Sequence, residues 1–471
     1  MTWNAAFWAA VFLAVQAPPR GQGPGGPGRY EGELRDRQGP LLRVSMQAPE
    51  RWDPRARVLG LLLVFHGMNG NERNYIGGTL EGLERLKLSD QYVVISGKSK
   101  GPGWTLEDDG PVILRLIEWA KETYPIDPRR VFLWGGSNGA GFVGRFGWQH
   151  QDKIAGIVGY CGYYNFAAPA RPEEASETRP EWYFVHGGND NPQNSGNACR
   201  QLREMGYRYV FRKLDGYGHT DIWDGAGHPD KSVVDAVRDD YMLWIHGLRH
   251  KQVEPAPRDR EMLSWFENKS KAESLFGSRS TFLALQRIGG PQAGAAIVQA
   301  LRSRSAGARA AAAEACETVS FGRAACEELA RVAASDESDR AAHAALRALG
   351  TYATWNYPEA QAALARIALG GSEGRSGKLA DRLLAAEGLA RATRLAGLGN
   401  FEDARVAFRA LVRLLDDEEA RLRQAAFAAL ARFVKDGFGY SPGASAAARR
   451  DARARWEAWC VERCGPEETP K

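Results

Sequence analysis

The stretch Val131-Phe-Leu-Trp-Gly135-Gly136-Ser137-Asn138-Gly139-Ala-Gly141 decides how the rest of the chain is read. A short apolar strand runs straight into G-x-S-x-G, and a helical pattern follows. That is the context in which the motif forms a nucleophile elbow. The chain reverses within a few residues and lifts the serine Oγ out of the turn. Gly135 and Gly139 flank the serine because a Cβ on either would collide across so tight a strand-to-helix turn. The helix opening near Asn138 aims N–H groups and a partial positive charge at whatever sits above Ser137.

Around this motif, from about residue 30 to 250, short apolar runs alternate with helical patterns. Leu59 to Phe65, Tyr92 to Ile95, Val131 to Trp134, Ile154 to Tyr160, Trp182 to His186 and Tyr209 to Leu214 read as buried strands. Pro111 to Thr123 and Asn138 to Trp148 have helical character. Asp230 to His246 is the strongest helix, with Val233, Val234, Val237, Tyr241, Leu243, Trp244 and Ile245 nearly on one side. Alternating β and α predicts an α/β fold with a mostly parallel sheet and helices on both faces.

An alcohol nucleophile needs a base, and the base needs an orienting acid. On such a sheet the expected order is Ser, then Asp or Glu, then His. Asp190 lies just past the strand that ends at His186, where parallel sheets place their sites. His219 follows the next strand in the Gly-rich loop Asp215-Gly-Tyr-Gly-His219-Thr-Asp221. Asp190 and His219 are therefore the expected acid and base. Asp215 and Asp221 are rivals for the first role and His228 for the second. His66 and His186 end strands before a glycine and read as loop-shaping residues. The oxyanion hole calls for two preorganised N–H groups. Asn138, next after the nucleophile, supplies one. Met68, in the turn Phe65-His66-Gly67-Met68-Asn69-Gly70, supplies the other, with Gly67 giving the backbone room. Trp104, Tyr163, Tyr217 and Trp223 are the aromatic candidates for a substrate pocket.

These motifs together resemble the α/β-hydrolases, specifically the secreted polyhydroxybutyrate depolymerase, feruloyl esterase and acetyl-xylan esterase group. The resemblance rests on strand-His66-Gly67, on Glu107-Asp108-Asp109 opening a helix, and on Tyr124-Pro-Ile-Asp127-Pro-Arg-Arg-Val131 leading to the elbow. The elbow itself, His186-Gly-Gly-Asn-Asp190 and Gly218-His219-Thr220 complete it. It implies Ser137 as nucleophile, Asp190 as acid and His219 as base. Asp108 and Asp109 suit a helix N-terminus and are assigned no chemistry. The resemblance covers somewhat under half the chain. The loops are short, and the C-terminal half is not part of the usual enzyme.

At 471 residues the chain is too long for one typical core. Hydrophobic residues make up 44% and charged residues 25%, as in an ordinary globular protein. A net charge of +5 is small for this length, and no Lys/Arg block forms a phosphate-binding stripe, so no nucleic-acid partner is expected. The apolar run Ala5 to Ala17 is too short for a stable membrane span. Residues 1–17 read as a signal peptide and 18–29 as a Gly/Pro-rich linker, which predicts export to the periplasm or beyond. The n-region lacks Lys and Arg, and Pro18 would follow the cut. Six cysteines suit an oxidising compartment, the nearest pairings being Cys316 with Cys326, Cys460 with Cys464 and Cys161 with Cys199. Buried free thiols fit equally well. No Cys/His cluster has zinc spacing, and neither metal nor cofactor is expected.

Past residue 250 the character changes. Residues 251–280 are charged and aperiodic and read as a connector. From 281 to 471 alanine and leucine dominate, and related segments begin at Gly307, Asp339, Asp381 and Arg421. Their spacing, about 33 to 42 residues, is that of helical-pair repeats and predicts a HEAT-like all-α solenoid. Such a domain would present an elongated surface to a protein or polymer partner. The expected function is that of a secreted serine hydrolase acting on a small-molecule or polymeric carboxylic ester, without a cofactor. A serine peptidase on the same fold, or a scaffold whose repeats do the work, are the alternatives. An ester-versus-peptide screen separates the first. Loss of a partner on removing residues 281–471, with Ser137→Ala silent, would favour the second.

Overall fold

The computed structural model describes residues 24–53, 58–164, 166, 180–221, 230–250, 253–370, 377–396 and 401–465. The expected signal peptide, the first half of the linker, Trp223 and His228 lie outside these residues. The first strand, β1 (Gly28–Asp36), begins inside the stretch read as linker. The chain divides into two compact units. One comprises Met1–Tyr209, Gly216–Ile245 and Arg249–Ala256. The other comprises Val210–Asp215, His246–Leu248 and Pro257–Lys471.

The first half of the chain builds an eight-stranded sheet in the order β1-β2-β4-β3-β5-β6-β7-β8. Beyond β1, the strands are β2 (Gly39–Ala48), β3 (Leu59–Phe65), β4 (Tyr92–Gly97), β5 (Ile126–Gly136), β6 (Gly156–Tyr160), β7 (Glu181–Gly187) and β8 (Tyr209–Leu214). β3 reads Leu-Gly-Leu-Leu-Leu-Val-Phe and is buried at every position, because both faces of a parallel strand are covered. It pairs in parallel with β4 and β5, with Leu63 opposite Ile95 and Leu133. β5, β6 and β7 continue in parallel. β1 and β2 form an antiparallel hairpin joined to β4 by β2. Helices α1 (Ile76–Arg85), α2 (Gly110–Thr123), α3 (Asn138–Gln149), α4 (Gln193–Glu204) and α5 (Lys231–Gly247) alternate with the strands. This order, with β2 antiparallel to both β1 and β4, the strands β3 to β7 parallel and the elbow after β5, is the α/β-hydrolase fold.

β1, β2, α1 and α4 are the elements the sequence did not reveal. β1 carries five charged residues and is largely solvent-facing, so it has no apolar run. α4, Gln-Asn-Ser-Gly-Asn-Ala-Cys-Arg-Gln-Leu-Arg-Glu, buries only Ser195, Ala198, Cys199 and Leu202. Asp109 stands at the N-cap position of α2, though its carboxylate caps no helical N–H and instead accepts the backbone N–H groups of Lys100 (3.0 Å) and Thr105 (2.8 Å) in the preceding loop. Its position agrees with its reading as a helix-opening residue.

The second half is helical. Two helices, α6 (Pro257–Ser264) and α7 (Lys269–Leu275), occupy much of the stretch read as a connector. Then follow α8 (Arg279–Ile288), α9 (Gly290–Leu301), α10 (Ala306–Ala315), α11 (Arg323–Ser335), α12 (Asp339–Thr354) and α13 (Pro358–Ala368). The last four are α14 (Leu379–Ala396), α15 (Arg405–Leu414), α16 (Ala420–Leu430) and α17 (Ala446–Cys464). Serine hydroxyls open α10, α12 and α17 by accepting an N–H three residues on. α12 packs on α10, α11, α13 and α14, and α14 on α12, α13, α15 and α16. The four related alanine-rich segments lie in α10, α12, α14 and α16, so each recurs on alternate helices. Alanine on these faces lets neighbouring helices approach closely, and Ala341, Ala342, Ala344, Ala345 and Ala348 of α12 are all fully buried. Among the described residues, no helix is long and apolar enough to cross a membrane. All six cysteines are buried free thiols.

Candidate active site

Ser137 sits between β5 and α3 with φ 53° and ψ −115°, a backbone region that L-residues rarely occupy. The surroundings hold it there. Its N–H donates to Tyr160 O at the end of β6 (2.8 Å), and its carbonyl accepts from Gly141 N in α3 (3.1 Å). The flanking glycines are obligatory. A Cβ on Gly135 would lie 2.4 Å from Gly139 O, and one on Gly139 would lie 2.4 Å from Phe65 O. Both clashes are with backbone, which cannot swing aside.

The three residues expected to act together are brought together. His219 Nε2 lies 2.9 Å from Ser137 Oγ, and its Nδ1 lies 2.7 Å from Asp190 Oδ2. A carboxylate only accepts, so Nδ1 carries the proton to Asp190 and Nε2 accepts from the serine hydroxyl. The two rivals for the acid that the structure describes stand elsewhere. Asp221 Oδ2 accepts Gly218 N–H (2.7 Å), and Asp215 pairs with Lys213 (2.8 Å). Burial pushes the Asp190 carboxyl up. The hydrogen bond and charge of His219, with contributions from Cys161 and His186, outweigh this and hold it below the ordinary aspartate value. Asp190 is thus an anion beside the imidazole.

The loop after β3 runs against the elbow. A Cβ on Gly67 would lie 3.3 Å from the Ser137 Cβ. Its turn is fixed by Gly70 N–H to Gly67 O (3.0 Å) and Asn69 N–H to Pro102 O (2.6 Å). Among the described residues, no acceptor takes the backbone N–H of Met68 or of Asn138, the two groups expected to hold an oxyanion. Asn138 has a further task. Its side-chain Oδ1 accepts Trp104 N–H (2.6 Å) and ties the 101–104 loop to the elbow.

The aromatic candidates fare differently. Trp104 is 2% exposed and packs on Phe65, His66 and Phe142, so it is core. Tyr217 is equally buried, and its hydroxyl donates to Asp230 O (2.9 Å). Tyr163 is exposed. A cavity of about 320 Å³ instead has walls of Tyr75, Trp134, Tyr160 and Tyr241. Trp134 lies three residues before Ser137, and Tyr160 supplies the carbonyl bound by the serine N–H. Strand periodicity marks Trp134 and Tyr160 as core, and only the fold shows that they border a cavity.

Sequence reasoning also passed over His186. Its Nε2 lies 3.0 Å from Asp190 Oδ2 and its Nδ1 lies 2.8 Å from Ser195 Oγ. The His186-Gly-Gly-Asn-Asp190 spacing was the available signal, since a tight turn over four residues folds the acid back on the histidine. Cys161, at the end of β6, completes the surroundings. Its sulfur accepts Gly187 N–H (3.5 Å) and, with donor atoms of Asp190 and His219, forms a set within 4.8 Å. A soft cation could use these donors. Asp190 and His219 are already joined by the hydrogen bond that orients the imidazole.

No family model matches the chain, and no curated protein matches it. Among solved structures, the fluorophosphonate-binding serine hydrolase F of Staphylococcus aureus is 16% identical with a TM-score of 0.35, covering 47% of this chain and 99% of that one. A thermostable esterase is 15% identical with a TM-score of 0.37, covering 47% of this chain and 63% of that one. The S-formylglutathione hydrolase of Staphylococcus aureus is 15% identical with a TM-score of 0.36, covering 46% and 96%. Likeness at this level assigns no substrate to the chain.

Proposed function

We propose that this protein is a serine hydrolase that cleaves a carboxylic ester through an acyl-enzyme. One observation carries the reading: the unbroken chain from Ser137 Oγ to His219 (2.9 Å) and on to Asp190 (2.7 Å), with the serine held in a strained elbow. His219 Nε2 takes the serine proton as Oγ attacks the ester carbonyl. In this reading the negative oxygen that forms is held by the N–H groups of Met68 and Asn138, which have no acceptor among the described residues. His219 returns the proton to the alkoxide, and the alcohol leaves. A water molecule, deprotonated by the same ring, then attacks the acyl carbonyl and releases the acid and the free serine. Asp190 balances the imidazolium in both halves.

The proposal extends to a polyhydroxybutyrate depolymerase- or feruloyl esterase-like substrate class, which rests on the motif resemblance alone. It extends also to a HEAT-like helical half that engages a protein or polymer, supported by the alternate-helix recurrence of its alanine segments. Export is the third element, supported by the apolar run at Ala5 to Ala17. N-terminal sequencing of mature protein tests it.

The test of the central reading is an ester panel read by intact mass. A slow ester should add its acyl mass to Ser137, and Ser137→Ala should remove both the adduct and turnover. Peptide substrates turned over in preference to esters would replace this reading with a peptidase.

A further inference from the structure

The acid of this site is shared by two histidines, and the second has no part in the steps above. His186 ends β7 and its side chain is 1% exposed. Both ring nitrogens are engaged, Nε2 with Asp190 Oδ2 at 3.0 Å and Nδ1 with Ser195 Oγ at 2.8 Å. Ser195 is fully buried in the first turn of α4. The acceptor chemistry leaves one arrangement. Asp190 cannot donate, so Nε2–H donates to it, and in the neutral ring Nδ1 then accepts Ser195 O–H. Burial lowers the pKa of His186 despite the neighbouring carboxylate, so the ring stays neutral and keeps this tautomer.

We infer that His186 is a positioning residue for the catalytic acid, a fixed neutral donor that holds Asp190 Oδ2 at the angle His219 requires. The inference rests on the hydrolase reading above. The same oxygen receives His219 Nδ1–H at 2.7 Å, so His186 and His219 converge on one atom from two elements. A carboxylate held only by His219 could rotate about its side-chain torsions and carry the imidazole with it. One held from β7 and, through Ser195, from α4 cannot. Misplacement by about 1 Å at such a position costs on the order of a hundredfold. His186 also draws charge from Oδ2, because the positive end of its N–H dipole faces the carboxylate. Its presence therefore tempers how strongly Asp190 stabilises the imidazolium. The titratable groups facing this ring are Asp190 and His219, and Cys161 and Tyr164 approach the same acid and Ser195.

Two variants separate this role from mere packing. His186→Leu fills the space without a donor, and His186→Gln places an N–H near the Nε2 position. With wild-type enzyme turning over an ester and Ser137→Ala inactive, the hydrolase reading stands, and the variants then test the inference. His186→Leu is expected to lower kcat about tenfold to a hundredfold with KM within about twofold. The acid limb of its pH profile should move to higher pH, because Asp190 then no longer shares its Oδ2 charge with the His186 donor. His186→Gln should recover most of the rate and the wild-type limb. An unchanged acid limb in a folded Leu variant, or a Gln variant as slow as Leu, overturns the inference and leaves the hydrolase reading intact. Should the Leu variant fail to fold, ¹⁵N-histidine NMR of the wild type decides. Ring 186, assigned with the Gln variant, must be neutral with its proton on Nε2. A proton on Nδ1 overturns the inference.

Discussion

Ser137 holds its strained backbone because the residues around it are too small to let the chain do anything else. Gly135 and Gly139 face backbone carbonyl groups at 2.4 Å from any added Cβ, so the strain at the serine is imposed by contacts that cannot relax. Gly139→Ala should destabilise the fold by at least about 1–3 kcal/mol and remove activity, read by denaturant titration and ester turnover. Retention of both would show that the elbow adjusts. At this scale the sequence was unusually informative, since a strained turn needs particular residues at fixed spacings. It was blind where a role depends on distance in space. The four-residue spacing from His186 to Asp190 hinted at a contact, but only the fold shows His186 Nε2 reaching Asp190 Oδ2, and Trp104 drew notice as an aromatic near a loop while its ring lies in the core.

At the scale of elements, β5 does two jobs at its two ends. Its C-terminal end leads into Ser137, whose Oγ meets His219 Nε2. Its N-terminal end is anchored by a buried ion pair, Asp127 to Arg129, whose carboxylate accepts both the guanidinium (2.8 and 3.0 Å) and the Arg129 backbone N–H (2.9 Å). Both side chains are under 8% exposed, and Arg130 and Arg249 are buried close by. Burial pushes the Asp127 carboxyl up, but Arg129 and, at longer range, Arg249 outweigh it and hold it below the ordinary aspartate value. A depressed acid adds stability that is present above its unfolded value and lost as pH falls through its folded one. Asp127 should therefore support the fold at neutral pH, begin to lose that support as pH falls below about 4, and lose it fully only below its own depressed value. Asp127→Asn should cost about 3–5 kcal/mol at pH 7, because it takes the paired charge away from a buried guanidinium. The gap to wild type should close as pH falls below that window. A gap that is constant with pH would assign the loss to packing. The strands legible in the sequence, β3 to β8, are those buried on both faces, whose apolar runs announce themselves. β1 and α4 escaped because much of their surface is wet, and β2, though mostly buried, because Arg43, Ser45 and Gln47 interrupt its apolar residues.

For the molecule as a whole, the main run of the helical unit begins at Pro257, ahead of the change in composition near residue 280. The units do not follow one cut in the sequence, since Val210–Asp215 and His246–Leu248 group with the helical residues. A linear reading assigns each segment to the domain it sits in and cannot see this. If hydrolysis is the activity of the full-length chain, Ser137→Ala should melt within a few degrees of wild type while losing ester turnover by a factor of about 10³ or more. A variant that stays active would move attention to the helices.

The most direct measurement is reaction of the intact protein with a fluorophosphonate, followed by peptide mapping, because it needs no substrate. Attack at Ser137, lost in His219→Ala and strongly slowed in Asp190→Asn, is the predicted result. A folded protein that is not labelled, or is labelled at a different serine, would contradict the account, for the hydrogen-bonded chain from Ser137 to Asp190 would then not activate the nucleophile.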